Sequence, residues 1–361
     1  MNIRQFAQLC RRTAAGEDCA TDMPKDRSAL TMLAGMAKDH RVLPLLALAL
    51  GQKASQQAAI PHLLTPLHHT TRNMRIKAQL LELDGALAGS GKQMILMKGA
   101  VNLFAPIYPS LGARHMADID LLLPDADSGA VFERLGYQRK DPAYEDRIDA
   151  QGNPVLHLGG LHLSPVIRAG DLVTIEPHLL AVMPKASHLL PKHLATDLRD
   201  VPGCAQLKQP SAVNHLIVSL IHTLKHDRDT LDGALLIRGL VECDMLFDRL
   251  TEGERLAVRQ HFAGHGGKQM FAAWRALADW LFHNDEAAAT RSLAAWLLIT
   301  EFRLRARGYR AVFAISVLHR VLAPLHFRYW TSLTFVSHAR RLVRRDFWAR
   351  FFHRLGRAYK D

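Results

Sequence analysis

Residues 118–124 are Asp-Ile-Asp-Leu-Leu-Leu-Pro, which places two carboxylates one residue apart inside an apolar run. A short apolar run that is closed by a proline predicts a buried β-strand. Because side chains alternate between the faces of a strand, Asp118 and Asp120 share one face, and the alternate residues point into a core. The predicted core-facing residues are Ile119, Leu121 and Leu123. The fold must therefore bury one face of this strand and hold two like charges on the other.

Two carboxylates side by side repel each other and cost stability unless a cation lies between them. Hard oxygen ligands on a strand suit Mg²⁺, which takes its remaining ligands from water and from substrate phosphates. The same spacing also occurs on solvent-exposed strand faces that bind nothing. The spacing alone therefore leaves two interpretations open, a metal site and a solvated strand face.

Residues 171–178, Asp-Leu-Val-Thr-Ile-Glu-Pro-His, predict a second strand. Alternation places Glu176 with Thr174 on one face and Ile175 on the other. If this strand lies beside the first, Glu176 adds a third carboxylate, enough for two metal ions or for one metal ion and a base. His178 has the same parity as Glu176 and is expected to support the site, contact a nucleotide or cap the strand end.

The predicted organisation along the chain has three parts. Leu, Ala and Met at three- and four-residue spacing predict amphipathic helices over residues 29–50 and 71–90. Residues 155–180 are predicted to add strands to the same sheet, and from Ser211 onward the composition again predicts helices. We therefore expect an α/β (α+β) fold, a small mixed sheet flanked by helices with helical N-terminal and C-terminal extensions. The expected divisions are 1–90 for the helical N-terminal region, 91–205 for the α/β core, and 206–361 for the helical C-terminal region with its basic tail.

The composition, with 48% hydrophobic residues in 361, is that of a globular protein. The four cysteines are far apart and form no Cys-x-x-Cys pair, which indicates neither a disulfide framework nor a cysteine zinc site. The first residues contain no apolar signal segment, and the apolar runs are shorter than the ~20 residues that span a bilayer. We therefore expect a cytoplasmic protein without a transmembrane segment.

Positive charge is concentrated near the C-terminus. Residues 301–361 contain fourteen Lys or Arg and three acidic residues, a net charge of +11 out of +12 for the whole chain. Arginines alternate there with Trp, Phe and Tyr, a mixture that suits nucleic-acid phosphates, an anionic membrane surface or a partner protein. A basic, partly solvated helix is the simpler interpretation, and an anionic partner for this tail is the alternative.

Residues 96–124 and 172–180 together resemble a known family. The ordered pattern is Leu-Met-Lys-Gly-Ala, then Arg114, then Asp-Ile-Asp-Leu-Leu-Leu, a helix ending in Leu-Gly-Tyr, and finally Ile-Glu-Pro-His. This is similar to the Leu-Lys-Gly…Arg…Asp-Ile-Asp-Leu-Leu-Val…Glu-Leu-His pattern of the bacterial uncharacterised nucleotidyltransferase family in the DNA polymerase β-like superfamily. Helical segments on both sides extend the resemblance to about residues 30–250.

The resemblance implies a metal-dependent site. It assigns Asp118 and Asp120 as ligands of Mg²⁺ or Mn²⁺ on one strand, with Glu176 on a neighbouring strand as a third ligand or a base. The superfamily commonly opens this site with a Gly-Ser pair, whereas this chain has Lys-Gly-Ala. Pro177 also follows Glu176, where a leucine is more usual.

Phosphate contacts are expected near the end of the strand that precedes Gly99. With the resemblance, Lys98 is expected to reach a phosphate as a point charge and Arg114 to grip one bidentately. Gly99 permits a turn or a close approach of phosphate. The alternatives are a solvated strand end for Lys98 and a surface salt bridge for Arg114.

The implied activity is transfer of a nucleoside monophosphate from an NTP, with ATP among the candidates, to an unidentified acceptor, releasing pyrophosphate. The acceptor could be a protein, a peptide, a small molecule or an RNA. The alternative is a module of the same fold that binds nucleotide or nucleic acid without turnover and interacts through its basic C-terminal helix. A stripe of His215, His222 and His226 is expected to form a polar helix face toward the cleft or solvent rather than a zinc site.

Overall fold

The computed structural model describes residues 1–58, 60, 63–124, 130–140, 147–148, 154–155, 163–182, 184–226 and 236–305. The chain divides into two compact units. The first comprises Met1–His261 and Leu281–Asn284, and the second comprises Phe262–Trp280 and the residues from Asp285 onward. Most of the basic C-terminal tail, from residue 306, lies outside the described residues. In the part of the chain that is described, no helix is both long and apolar enough to cross a membrane.

The helices begin where the sequence supplies caps. Asn2 and Gln5 form a capping box at the start of α1 (Ile3–Ala14), and Thr65 caps α4 (Pro66–Leu87). Ser211 caps α6 (Ala212–Ile221), which follows the sheet. The remaining described helices are α2 (Arg27–Asp39), α3 (Leu43–Ala58), α5 (Ala130–Arg134), α7 (Ile237–Arg249), α8 (Glu252–Gly264), α9 (Lys268–Phe282) and α10 (Leu293–Arg305).

Seven strands form one mixed sheet between α4 and α6. They are β1 (Met94–Leu96), β2 (Asp118–Leu122), β3 (Gln138–Arg139), β6 (Val166–Ile167), β7 (Thr174–His178), β8 (Leu198–Asp200) and β9 (Leu207–Pro210), while β4 (Arg147–Ile148) and β5 (Pro154–Val155) form a separate pair. The order is β3-β6-β7-β2-β1-β9-β8, with β2–β7 and β1–β9 parallel and the other pairs antiparallel. The predicted fold class, a mixed sheet flanked by helices, is confirmed.

Apolar side chains cover both faces of the sheet. The larger core combines α4 with the predicted core-facing residues of β2, including Ile76, Leu80, Leu83, Ile119, Leu121 and Leu123. The predicted orientation of these β2 residues is therefore confirmed. On the other face, Leu122 packs with Ile95 of β1 and Val218 of α6. The face that carries the aspartates thus becomes apolar further along β2.

Three segments differ from the sequence-based expectations. The helix expected over residues 29–50 is divided into α2 and α3, because the chain turns at Arg41, whose φ is +57°. Of the strands expected over residues 155–180, β6 and β7 join the sheet, but Val155 of β5 pairs instead with Arg147 of β4, because partners this close along the chain lose little entropy on pairing. Residues 156–162 lie outside the described part. The last strand ends at Pro210, beyond the expected limit at 205.

A buried carboxylate ties α4 to the sheet. Asp84, near the end of α4, accepts hydrogen bonds from the backbone N–H groups of Ala205, Gln206 and Leu207 at 3.0, 2.7 and 2.7 Å. Leu207 opens β9, which pairs with β1. Asp84 therefore fixes the start of β9, the strand beside β1, relative to the helix that covers the core.

We expect Asp84→Ala to lower the free energy of unfolding by about 3 kcal/mol, because three backbone donors at a largely buried position lose their acceptor. Chemical denaturation followed by circular dichroism measures this change. The control is Asp200→Ala, whose carboxylate pairs with Lys208 at 2.7 Å at the exposed end of β8, and which should change stability by less than about 0.5 kcal/mol. Equal effects of the two substitutions would contradict the role of Asp84.

Candidate functional site

The parallel pairing of β2 with β7 brings the predicted acidic residues together. In its register, Asp118 lies opposite Thr174, Asp120 opposite Glu176, and Leu122 opposite His178. Because side chains at paired positions point the same way, Asp120 and Glu176 lie side by side on one face of the sheet. The predicted proximity of the two strands is confirmed.

Asp120 is the centre of this group. Its carboxylate is almost fully buried, and its Oδ1 accepts a hydrogen bond from Lys98 Nζ at 2.5 Å and lies 2.8 Å from His178 Nε2. Burial alone raises the pKa of Asp120, but the positive charge of Lys98 and the hydrogen bond with His178 outweigh it and hold the pKa well below its usual range. Asp120 is therefore an ionised carboxylate at neutral pH.

Glu176 and His178 complete a set of possible metal ligands. His178 Nε2 lies 3.8 Å from Glu176 Oε2, and Glu176 remains about a quarter exposed while His178 is buried. One ligand atom each from Asp120, Glu176 and His178 lies within 4.8 Å of the others, a spacing at which a single cation could contact all three. Glu176 is the member of this trio that is open to solvent.

Asp118 lies on the same strand as Asp120, as expected, but its carboxylate lies apart from the ligand atoms of the trio. It is half-buried at the start of β2 and does not belong to the group of three ligand atoms. Its negative charge acts instead on Arg114. Asp118 lies one strand repeat before Asp120, roughly 7 Å along the chain, so its role as a metal ligand stays a prediction.

Lys98 reaches Asp120 from the end of β1 with an unusual backbone. Its φ is +48°, in the left-handed region that side chains other than glycine rarely adopt. Gly99 follows, and the two residues open a short 3₁₀ turn, Lys98–Leu103. The His215 side chain in α6 forms a hydrogen bond with the Lys98 backbone. Burial of His215 lowers its pKa to about 4, so its imidazole is neutral. Helix α6 therefore stabilises the Lys98–Gly99 turn through His215.

Arg114 packs directly on Gly99 and is paired inside the protein. A Cβ placed on Gly99 would lie 1.8 Å from Arg114 Nη1. Arg114 Nε donates to a carboxylate oxygen of Glu242 in α7, which also accepts a hydrogen bond from the Tyr108 hydroxyl at 3.0 Å. Burial raises the pKa of Glu242, but the charges of Arg114 and Arg238 lower it further than burial raises it. Arg114 therefore supports the Lys98–Gly99 turn in this structure.

A family model described as an uncharacterised nucleotidyltransferase matches residues 29–283. The chain belongs to this family. Neither the search of curated proteins nor the search of solved structures found a match. The predicted membership is confirmed, and it supports a general nucleotidyl-transfer function and a place among the transferases.

The family match includes residues that sequence reasoning did not assign to the site. Glu242 and Tyr108 were not singled out, and His215 was expected only to form a polar helix face. The four-residue spacing of Arg238 and Glu242 in α7 was the one signal in the sequence, and it is also typical of ordinary surface pairs on helices. The family region thus includes α6 and α7 as supports of the site.

We expect Gly99→Ala to lower the free energy of unfolding by about 2 kcal/mol, because the new methyl group displaces the Arg114 guanidinium from Glu242. Gly85→Ala is the matched control, since nothing lies within 4 Å of a Cβ on this glycine of α4 and alanine favours a helix by about 1 kcal/mol. Denaturant unfolding of both variants measures the difference. A Gly99→Ala protein as stable as the wild type would show that Arg114 does not need this glycine.

Proposed function

We propose that the protein is a metal-dependent nucleotidyltransferase that transfers a nucleoside monophosphate from an NTP to an acceptor hydroxyl. The observation that carries the proposal is the register that sets Asp120 beside Glu176, with His178 close to both, in a member of a nucleotidyltransferase family. A buried, ionised carboxylate beside a more exposed one, both on rigid strands, suits a reaction centre that handles phosphate charge.

The donor set fits a divalent cation. Asp120 and Glu176 offer carboxylate oxygens, the ligands that Mg²⁺ and Mn²⁺ prefer, and His178 offers an imidazole nitrogen. The imidazole favours Mn²⁺ over Mg²⁺, because nitrogen ligands suit the less hard of the two ions. When bound there, the cation would neutralise charge on the α-phosphate and on the departing pyrophosphate.

The reaction exchanges a phosphoanhydride bond of the NTP for a phosphate ester bond to the acceptor. The acceptor oxygen forms a bond to the α-phosphorus, the bond from that phosphorus to the bridging oxygen of the β-phosphate breaks, and pyrophosphate leaves. The proton of the acceptor hydroxyl needs a base, and Glu176 is suited to take it because its carboxylate is the open member of the trio. Asp118, at the start of the same strand, is proposed as a ligand for a second cation.

Lys98 has two proposed roles. Its ammonium donates to Asp120 Oδ1 at 2.5 Å, and a divalent ion held by the same carboxylate would repel it. Lys98 therefore competes with the cation for Asp120. Once displaced, its ammonium is free to contact a phosphate of the nucleotide, which agrees with the role expected from the resemblance.

Lys98→Met should increase the stabilisation of the protein by Mn²⁺, because the ammonium no longer competes for Asp120. Thermal unfolding with and without millimolar Mn²⁺, in the absence of nucleotide, measures the shift, since a ligand that binds only the folded protein raises its stability. Lys208→Met is the control, because Lys208 forms a comparable 2.7 Å pair with the exposed Asp200. If Mn²⁺ shifts both variants and the wild type equally, Lys98 does not occupy the cation position.

Transfer itself is tested with labelled NTPs, Mg²⁺ or Mn²⁺ and cell extract as the source of acceptor. We expect Asp120→Asn and Glu176→Gln to lower labelling by about 100-fold or more, with Asp200→Asn labelling as wild type. Asp118→Asn should abolish labelling if the site binds two cations, whereas labelling should persist if the site binds one.

Labelling that is equal in wild type and Asp120→Asn, or absent from both, would overturn the proposed transfer. Nucleotide binding without labelling would instead favour the binding module of the same fold. That module would depend on the basic C-terminal tail for its anionic partner, and deletion of residues 331–361 would then weaken binding to RNA or anionic lipid.

A further inference from the structure

A group of cationic side chains surrounds His115, in the segment that leads into β2. Burial and the positive charges of four arginines hold the pKa of His115 below its ordinary value. These arginines are Arg72, Arg238, Arg114 and Arg41. We name Arg41, His69, Arg72, His115 and Arg238 the cationic cluster. All five lie in the first compact unit.

Hydrogen bonds hold the elements of the cluster together. Arg72 of α4 donates to the Met116 carbonyl at 2.7 Å, and Asn73 donates to the carbonyls of Leu111 and Arg114, each at 2.7 Å. The loop that contains His115 is thereby fixed on α4. Ile237 N donates to His40 Nδ1 at 3.4 Å, which brings the turn that carries Arg41 to the start of α7, where Arg238 lies.

The positive charge of the cluster is only partly compensated. Glu242 offsets Arg114 and Arg238, and Asp118 acts on Arg114. Within the described residues, no ion pair joins Arg41 or Arg72 to a carboxylate, and Arg41 is exposed. An excess of guanidinium groups at one place favours a multiply charged anion.

His69 supplies an independent sign of a ligand. It is 4% exposed, its Nε2 has no hydrogen-bond partner within the described part of the chain, and its pKa is lowered to about 4 by burial and by the charges of His115, His68 and Arg72. Buried polar groups nearly always have a partner. A buried imidazole nitrogen without a partner, close to Arg72 and His115, indicates that a group absent from the protein itself satisfies it.

We propose that the cationic cluster binds a phosphate group of a substrate. Guanidinium groups match the geometry of phosphate oxygens, and neutral imidazoles can donate a further N–H. The cluster adjoins the loop before Asp118, so its role in catalysis rests on the proposed function. The phosphate belongs either to the triphosphate of the nucleotide or to a phosphate-bearing acceptor.

Inorganic pyrophosphate, titrated calorimetrically into the full-length protein without metal, tests the proposal. We expect Arg41→Gln and Arg72→Gln to weaken binding by about tenfold each, and higher salt to weaken wild-type binding. The matched control is Arg27→Gln, because Arg27 is an exposed arginine at the opposite end of α2. Arg27→Gln should bind pyrophosphate as the wild type does, and circular dichroism shows that each variant is folded.

A competition experiment distinguishes the two sources of phosphate. Loss of the pyrophosphate signal after saturation with a non-hydrolysable NTP analogue and Mn²⁺ assigns the cluster to the triphosphate, whereas persistent Arg41-dependent binding assigns it to a phosphate-bearing acceptor. Either result supports the proposal.

Two outcomes would overturn the inference, namely no pyrophosphate binding by the wild type, or wild-type affinity in both arginine variants. The inactive Asp120→Asn protein should keep Arg41-dependent binding. If that binding persists while no labelled NTP is ever transferred, the proposed function fails and the phosphate site stands. If transfer occurs but Arg41→Gln and Arg72→Gln bind pyrophosphate with wild-type affinity, the phosphate site fails and the proposed function stands.

Discussion

The candidate site depends on the register between β2 and β7. A slip of one residue would turn Glu176 toward the core and place Ile175 or Pro177 beside Asp120. The buried face prevents such a slip, because it would carry Ile175 out of the larger core, where it lies with Ile119 and Leu121. The apolar face of the two strands therefore fixes the geometry of the carboxylates on the polar face.

Buried charges beside these strands are compensated by specific partners. Lys98 and His178 contact Asp120, and Arg114 contacts Glu242. Removal of one member would leave an uncompensated charge in a poorly solvated place, which costs far more than loss of an exposed pair. Around His115 the compensation is incomplete, because the arginines there outnumber the neighbouring carboxylates of the described residues. An anionic substrate would complete it.

The features that could be predicted from the sequence are those that depend on the periodicity of neighbouring residues. The alternation of side chains along a strand predicted that Asp118 and Asp120 share one face and that Glu176 lies on the polar face of its strand. This was possible because a period of two is visible within five residues. The family resemblance implied phosphate contacts for Lys98 and Arg114. In the structure each side chain instead contacts a carboxylate that the fold brings near, and the phosphate contacts stay predictions. Glu242 could not be found this way, because its importance arises from how distant helices pack, which no local pattern contains. His215 was expected on a polar helix face, but its contact with the Lys98 backbone was not.

The helices on either side of the sheet are part of the site rather than extensions of it. Helix α4 holds the loop before β2 through Asn73 and the start of β9 through Asp84, and α7 supplies Glu242. Without α7, Arg114, which packs on Gly99, would lose the carboxylate to which its Nε donates. Without α4, the backbone donors at the start of β9 would lose their acceptor. The expected limit at residue 205 falls before β9, and the sheet needs contacts from helices outside the expected limits at 90 and 205.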